Sequence, residues 1–214
     1  MPVYNESANI LGTLLSIGDV GQTIVVDGGS TDDTVDRVRY AGLATLIASP
    51  KGRGRQLAAG AELCTGRVLV FLHGDCYLSP DALDEVVAEI NRGKFWGAMR
   101  QKIRSDRPVF RALEWGNSLR VKFLGIAFGD QAIFVRADTY RSVGGFEPIS
   151  LMEDVRLSQR LRRVAWPVLL RCHVSVDARR WQRRGVVRQT VLNWRIQLLH
   201  LFGASPERLE RLYR

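Results

Sequence analysis

Cysteine is scarce. Only Cys64, Cys76 and Cys172 occur among 214 residues, and their separations match no metal or redox motif. A sparse, odd set excludes a disulfide scaffold and suits a reducing compartment. Long apolar runs are missing too: no stretch would span a bilayer, and no signal peptide is recognisable. Acidic residues are in deficit, 22 against 31 Lys and Arg, for a formal net charge of +9. That balance points to acidic partners, whether nucleic acid, anionic lipid or phosphorylated substrates. Internal repeats and low-complexity linkers are absent. So is the Gly-x-Gly-x-x-Gly turn of a dinucleotide-dependent oxidoreductase. Asn5-Glu6-Ser7-Ala8-Asn9 stand where a nucleotidyltransferase would carry Gly-x-Gly-x-Arg. What remains is a globular chain, 46% apolar, whose length fits one domain with a C-terminal extension. Its expected place is the cytoplasm, free or at the inner membrane face.

The most informative stretch is Ile24-Val25-Val26-Asp27-Gly28-Gly29-Ser30-Thr31-Asp32-Asp33-Thr34. Three β-branched residues predict a strand buried on both faces. Gly28 and Gly29 allow a sharp turn and the close approach of a ligand. Ser30 or Thr31 suits the N-cap of a helix expected over 31–41, and Asp32 and Asp33 suit its positive end. Asp27 then stands at the carboxyl end of a strand, where open α/β sheets bind ligands. An ionised Asp only accepts hydrogen bonds, so a sugar hydroxyl or a base N–H fits there. The plainer reading has Asp27 capping its own turn.

Upstream, Pro2-Val3-Tyr4 reads as the end of a strand, with a helix starting at Asn5 or Ser7 and carrying Ile10, Leu11, Leu14 and Leu15. Either that first strand is very short or the chain start is truncated. Downstream, residues 43–48 predict a third strand. Ser49-Pro50-Lys51-Gly52-Arg53-Gly54-Arg55-Gln56 reads as a basic, flexible loop before a helix bearing Leu57, Ala58, Ala61 and Leu63. Lys51, Arg53 and Arg55 around two glycines suit a diphosphate; a solvated basic loop is the alternative. Val68-Leu69-Val70-Phe71-Leu72 is the strongest buried-strand run and ends in His73-Gly74-Asp75. Asp75 offers the oxygen ligand that a hard divalent cation on a diphosphate needs. His73 is either a further ligand or a packed, hydrogen-bonded histidine. Ser79-Pro80-Asp81 opens the next helix.

Regular alternation of strand and helix breaks down after about residue 93. A strand is expected at 95–103, a helix at 110–124, and a strand at 128–136 with the polar trio Gly129, Asp130 and Gln131 near its start. Gly144-Gly145-Phe146 is a turn. Leu151-Met152-Glu153-Asp154-Val155 opens a helix running through Leu161. Its adjacent acids are either dipole-favoured caps or a general base at a cleft rim. A late strand at 168–176 precedes Arg179-Arg180-Trp181 and a basic stretch through Arg188. Helical spacing returns in Val191, Trp194, Leu198, Leu199 and Leu201, and Ser205-Pro206-Glu207 starts a last short helix.

In this order, Pro2-Val3-Tyr4-Asn5-Glu6, Val25-Val26-Asp27-Gly28-Gly29-Ser30-Thr31-Asp32, His73-Gly74-Asp75 and Glu153-Asp154 resemble a family 2 glycosyltransferase. The compact length, with Gly52-Arg53-Gly54-Arg55-Gln56 and Arg179-Arg180-Trp181, is similar to a small bacterial subfamily often assigned to arsenosugar biosynthesis. The resemblance implies a GT-A fold, an α/β architecture with a Rossmann-like, mostly parallel sheet flanked by helices. It implies a nucleotide-diphosphate sugar donor, Mn²⁺ or Mg²⁺, a hydroxyl acceptor and inversion at the anomeric carbon. Residues 1–214 would form one domain: a nucleotide-sugar half at 1–95, an acceptor half at 96–184 and a helical tail at 185–214. Asp27 would contact the donor base or ribose, with Pro2, Tyr4 and Glu6 nearby. Lys51, Arg53, Arg55, Gly74, Arg180 and Trp181 would complete the donor site, and Gly129, Asp130 and Gln131 would meet the acceptor. Asp75, with His73, would hold the metal, and Asp154 would be the base, with Glu153 as the other choice.

Three features depart from the family pattern, the missing first half of the first strand among them. His73 stands where many members carry the first acid of Asp-x-Asp. The full Gln-x-x-Arg-Trp pattern is absent, because Asp177 precedes Ala178-Arg179-Arg180-Trp181. With no membrane span, the chain does not resemble a processive polysaccharide synthase. The competing class is a basic module for a membrane surface or nucleic acid, favoured by Arg183, Arg184, Arg188, Trp194 and Arg195 in the tail. Acids at three strand or helix ends would repel nucleic-acid phosphates, so no nucleic-acid partner is expected. The tail either touches lipid or packs Leu198, Leu199 and Leu201 back onto the domain.

Overall fold

In the computed structural model residues 1–213 are described, except the side chains of Arg180, Gln182, Arg183 and Glu207. The β-branched run makes β2 (Ile24–Asp27), the middle of a three-stranded parallel sheet between β1 (Pro2–Val3) and β3 (Thr45–Ala48). All four β2 residues are buried. Helices α1 (Ile10–Ile17), α2 (Thr34–Ala41) and α3 (Arg53–Glu62) flank this sheet. Val3, Ile10, Leu14, Val25 and Val38 form its core.

A five-stranded mixed sheet follows, in the order β4 (Val68–Phe71), β7 (Ile133–Arg136), β6 (Trp96–Arg104), β8 (Val168–Asp177), β5 (Cys76–Leu78). β6 and β8 run parallel; the other three pairings are antiparallel. β4 and β5, from the first 95 residues, therefore share one sheet with strands of the second half. Helices α4 (Ala82–Asn91), α5 (Pro108–Leu124), α6 (Ala137–Ser142) and α7 (Glu153–Val164) pack around it. The tail adds α8 (Arg179–Arg184), α9 (Val186–Leu201) and α10 (Pro206–Tyr213). The α/β class is as expected, with a parallel sheet flanked by helices.

Local departures from the expected elements have physical causes. The second helix starts at Thr34, not near residue 31, because Ser30 turns its hydroxyl back to Asp27 (2.6 Å) while Asp32 takes the Thr34 N–H (3.0 Å). The basic loop is shorter than expected: Arg53 already begins α3. Gly54 in its first turn lies against the carbonyls of Glu147 and Ile149, a contact no side chain would permit. The strand expected from Phe128 begins only at Ile133. Gly129–Gln131 forms a 3₁₀ turn, and Ala132 has a φ of 45°.

The first two sequence motifs clasp each other. Asn5 sits at a φ of 54°, which Asn tolerates better than most residues. Its N–H reaches the Ser30 hydroxyl (2.9 Å), and its side-chain carbonyl accepts from the Thr31 N–H (2.8 Å). The N–H groups of Glu6 and Ser7 donate to Thr34 (2.8 Å) and Asp32 (3.1 Å). Gln56 closes the same edge, donating to the carbonyls of Val3 (2.9 Å) and Val26 (2.8 Å).

Candidate active site

One cavity of about 500 Å³ opens among the segments after β1, β4 and β8, the turn before β7, the starts of α3 and α7, and the tail. Its polar lining includes Glu6, His73, Asp75, Asp130 and Asp154, with the cations Arg53 and Arg179. Its apolar lining includes Phe128, Leu151, Met152, Trp181 and Ile196. Carboxylates from residue 6 to residue 177 thus meet in one place.

Asp154 reaches the cavity from the first turn of α7. Met152, just before that turn, is held at a φ of 68°, an uncommon state for a side-chain-bearing residue. The Asp154 carboxylate accepts from the Gly129 N–H at Oδ2 (2.8 Å) and from the Val155 N–H at Oδ1 (2.7 Å). Gly129 is required there: an added Cβ would stand 2.5 Å from His73 Nε2. Glu153 points elsewhere. It does not line the cavity, is fully buried, and pairs with Arg53 Nε at 3.0 Å. Burial pushes its carboxyl up to about 7; Arg53 opposes that shift and Asp154 adds to it. The neighbouring acids thus occupy different environments, as their angular separation on a helix requires.

His73, Asp75 and Cys76 bring their ligand atoms within 4.8 Å of one another. The thiol does not suit a hard cation, and burial, then the Asp75 charge, holds it protonated well above its ordinary range. Asp75 with His73 fits Mn²⁺ or Mg²⁺ as a site of one carboxylate and one imidazole, to be completed by phosphate oxygens and water. Arg179 sits over this acid. Its guanidinium lies 3.7 Å from Asp75, 3.4 Å from Glu6 and 3.1 Å from Asp177. Burial raises the Glu6 carboxyl above its ordinary value, with the Asn9 amide opposing and Asp75 adding.

The 3₁₀ turn divides the expected acceptor trio. Gly129 and Asp130 line the cavity; Gln131 is buried behind it. Asp130 accepts from Gln101 (2.6 Å), which accepts from Asn117 (2.6 Å). Arg120 links Asn117 (2.8 Å) to Gln131 (2.6 Å) and stacks on Phe128 at 3.5 Å. Burial pushes the Arg120 guanidinium down to about 10, with the charges of Asp130 and Asp154 opposing.

Of the other expected donor residues, Pro2, Tyr4, Asp27, Lys51, Arg55 and Gly74 lie outside the cavity lining. Asp27 accepts from the Gly29 N–H (2.9 Å) and the Ser30 hydroxyl (2.6 Å), the self-capping arrangement. Pro2 is buried in β1, and Tyr4 carries the Lys51 ammonium 3.3 Å above its ring. Arg55 is exposed on α3. Gly74 is a packing position, where a Cβ would meet Val3 at 2.9 Å. Trp181 lines the cavity, with its ring edge-on to Phe110 at 5.9 Å. The Arg180 side chain lies outside the described residues.

Sequence reasoning missed Arg179, Cys76 and the Gln101–Asn117–Arg120 network as parts of the site. Arg179 stood inside a quoted motif, but its neighbour was chosen. It also missed the contribution of Arg184, Asn193, Gln197 and Tyr213 from the tail.

Solved structures share this architecture. A mannosyltransferase from Pyrobaculum calidifontis, crystallised with GDP-Man and Mn²⁺, superposes with a TM-score of 0.70 at 20% identity, covering 99% of this chain and 66% of its own. S. aureus TarS 1–349 with UDP gives 0.64 at 16% identity, covering 99% and 68%. Full TarS gives 0.65, with only 35% of that chain covered. The uncharacterized glycosyltransferase Rv0539 of Mycobacterium tuberculosis is 27% identical over 93 residues, 44% of this chain and 43% of the relative. The chain thus spans less than half the length of the curated relatives it matches. The model of the glycosyl transferase family 2 matches residues 1–143, two thirds of the sequence and all of the first three motifs. With a GT-A architecture and that match, the chain belongs to glycosyl transferase family 2.

Proposed function

We propose that the cavity binds a nucleotide-diphosphate sugar and transfers its sugar to an acceptor hydroxyl with inversion. The observation that carries this reading is the meeting of Asp154, Asp75 and Arg179 around one cavity. The solved neighbours named above with UDP and with GDP-Man support the donor class.

Asp154 is the general base. Its two N–H donors fix the carboxylate without using all its lone pairs, leaving capacity for the acceptor hydroxyl. As the hydroxyl oxygen bonds to the anomeric carbon, its proton passes to Asp154. The bond to the diphosphate breaks on the opposite face. Fixed cations aimed at that leaving group stabilise the transition state more than the ground state. Arg179 serves there, with Arg53 at the edge. A divalent cation on Asp75 and His73 would neutralise the departing diphosphate. Asp27, Tyr4 and Lys51, at the carboxyl edge of the parallel sheet, bind the nucleoside side. Arg180 and Trp181 close over the diphosphate. Gly129 and Asp130 face the acceptor, and Gln131 holds their turn. Residues 1–95 then form the donor half and 96–184 the acceptor half. The enzyme works in the cytoplasm, with its tail at the inner membrane face. The motif resemblance supports membership in the small bacterial subfamily often assigned to arsenosugar biosynthesis.

The test is release of nucleoside diphosphate from a panel of nucleotide sugars with Mn²⁺ and hydroxyl acceptors. One donor should support turnover, and Asp154→Asn should lower kcat by ~10²–10⁴-fold while the donor still binds. Near-wild-type turnover in Asp154→Asn would overturn the assignment of the base.

A further inference from the structure

Helix α9 is apolar on two opposite sides. On one side Leu192, Ile196 and Leu199 pack with Leu151, Met152 and Val155. On the other, Val187, Val191, Trp194, Leu198 and Leu201 recur at steps of four, three, four and three residues. That spacing keeps them on a single stripe. Each of the five is more than half exposed, and Phe202, just past the helix end, is 87% exposed. A helix buried on one side normally turns charge to solvent on the other. Here the solvent side is the more apolar one, which marks a contact surface.

The charges beside the stripe select the partner. Arg188 and Arg195, seven residues apart, are exposed along its border. α9 contains no Asp or Glu. On α10 the exposed Arg208 and Arg211 alternate in sequence with Glu207 and Glu210, so the net positive charge beside the stripe comes from α9. A second copy of the same face would set these arginines against their own kind, which costs association energy. An anionic bilayer accepts both halves of the pattern, with phosphates for the guanidinium groups and acyl chains for Trp194, Leu198 and Leu201.

We infer that the outer face of α9 is a docking surface for an anionic phospholipid bilayer, lying flat in the interface. The inference rests on the membrane placement of the tail proposed above and gives it a face and a lipid charge. α9 also contributes Asn193, Ile196 and Gln197 to the cavity, so docking sets the cavity beside the lipid headgroups.

Co-sedimentation of the full chain with vesicles tests it. Vesicles of phosphatidylcholine containing phosphatidylglycerol should carry the protein down, and vesicles of phosphatidylcholine alone should carry at least ten-fold less. Trp194→Glu/Leu198→Glu and Arg188→Glu/Arg195→Glu should each lower binding to the anionic vesicles at least ten-fold, with far-UV circular dichroism unchanged. If the first variant fails to fold, the arginine pair decides. Wild type left in the supernatant with anionic vesicles would overturn the inference. So would a wild-type dimer that Trp194→Glu/Leu198→Glu makes monomeric without any vesicle binding. Donor binding, read separately by thermal shift with UDP-glucose or GDP-mannose and Mn²⁺, reports on the cavity and not on this face.

Discussion

The guanidinium of Arg53, at the start of α3, lies 3.0 Å from the carboxylate of Glu153, at the start of α7. The pair joins two stretches a hundred residues apart and assigns the adjacent acids different tasks. Glu153 answers Arg53 inside the protein, while Asp154 faces the cavity. Removing the cation leaves a buried carboxylate without its counter-charge. A fully buried pair broken in this way costs about 3–5 kcal/mol. The Arg53 side chain is 34% exposed, so solvent screening lowers the expected loss for Arg53→Ala to roughly 2 kcal/mol. Urea denaturation at about pH 8, where Glu153 is ionised, measures it, and Arg53→Ala/Glu153→Gln should recover part of the loss.

The same carboxyl makes stability depend on pH. Its folded pKa, about 7, lies above its ordinary value of 4.5, chiefly through burial. Such a group gives its full stabilisation below about 4.5 and loses it as pH rises through about 7. Glu153→Gln should therefore flatten the melting temperature between those limits. An unchanged fall in the variant would show that another group is responsible.

Gly129 donates to Asp154 and lies under His73. A methyl group there would stand 2.5 Å from the imidazole nitrogen. Gly129→Ala should displace the ring or the turn, costing about 1–3 kcal/mol in stability. It should also lower kcat more than Gly74→Ala, whose contacts are Val3 and Glu6 rather than Asp154.

Gln56 satisfies two carbonyls at the ends of neighbouring strands, Val3 and Val26. Gln56→Leu keeps the bulk and leaves both acceptors without the amide. The expected cost is about 1–3 kcal/mol by chemical denaturation. Donor affinity should fall as well, because the carboxyl edge of the parallel sheet loses its brace.

These relationships show what a linear reading can reach. The strand at 24–27 was legible because β-branched residues before two glycines have few other uses. That Asp75 and Asp154 line one cavity was legible because their motifs follow in family order. The Arg53–Glu153 pair was not, since nothing local tells a cation bound for a ligand from one bound for a buried acid. The 3₁₀ turn at Gly129–Gln131 was hidden by the apolar run after it, and only the positive φ of Ala132 separates the two. Arg179 was passed over because the motif names only an Arg-Trp pair, and nothing in that spacing shows that the preceding arginine reaches Asp75. The self-capping of Asp27 was foreseen as the plainer reading, and the geometry shows it directly.

The central claim is that Asp75 and its neighbours grip an activated sugar through its diphosphate. Calorimetric titration of the wild-type chain with UDP-glucose and GDP-mannose, with and without Mn²⁺, tests it most directly. The account predicts that one of these donors binds wild type and Asp154→Asn at least ten-fold more tightly with Mn²⁺, and that Asp75→Ala abolishes this gain. Equal donor affinity in Asp75→Ala and wild type, with Mn²⁺ present, would contradict it.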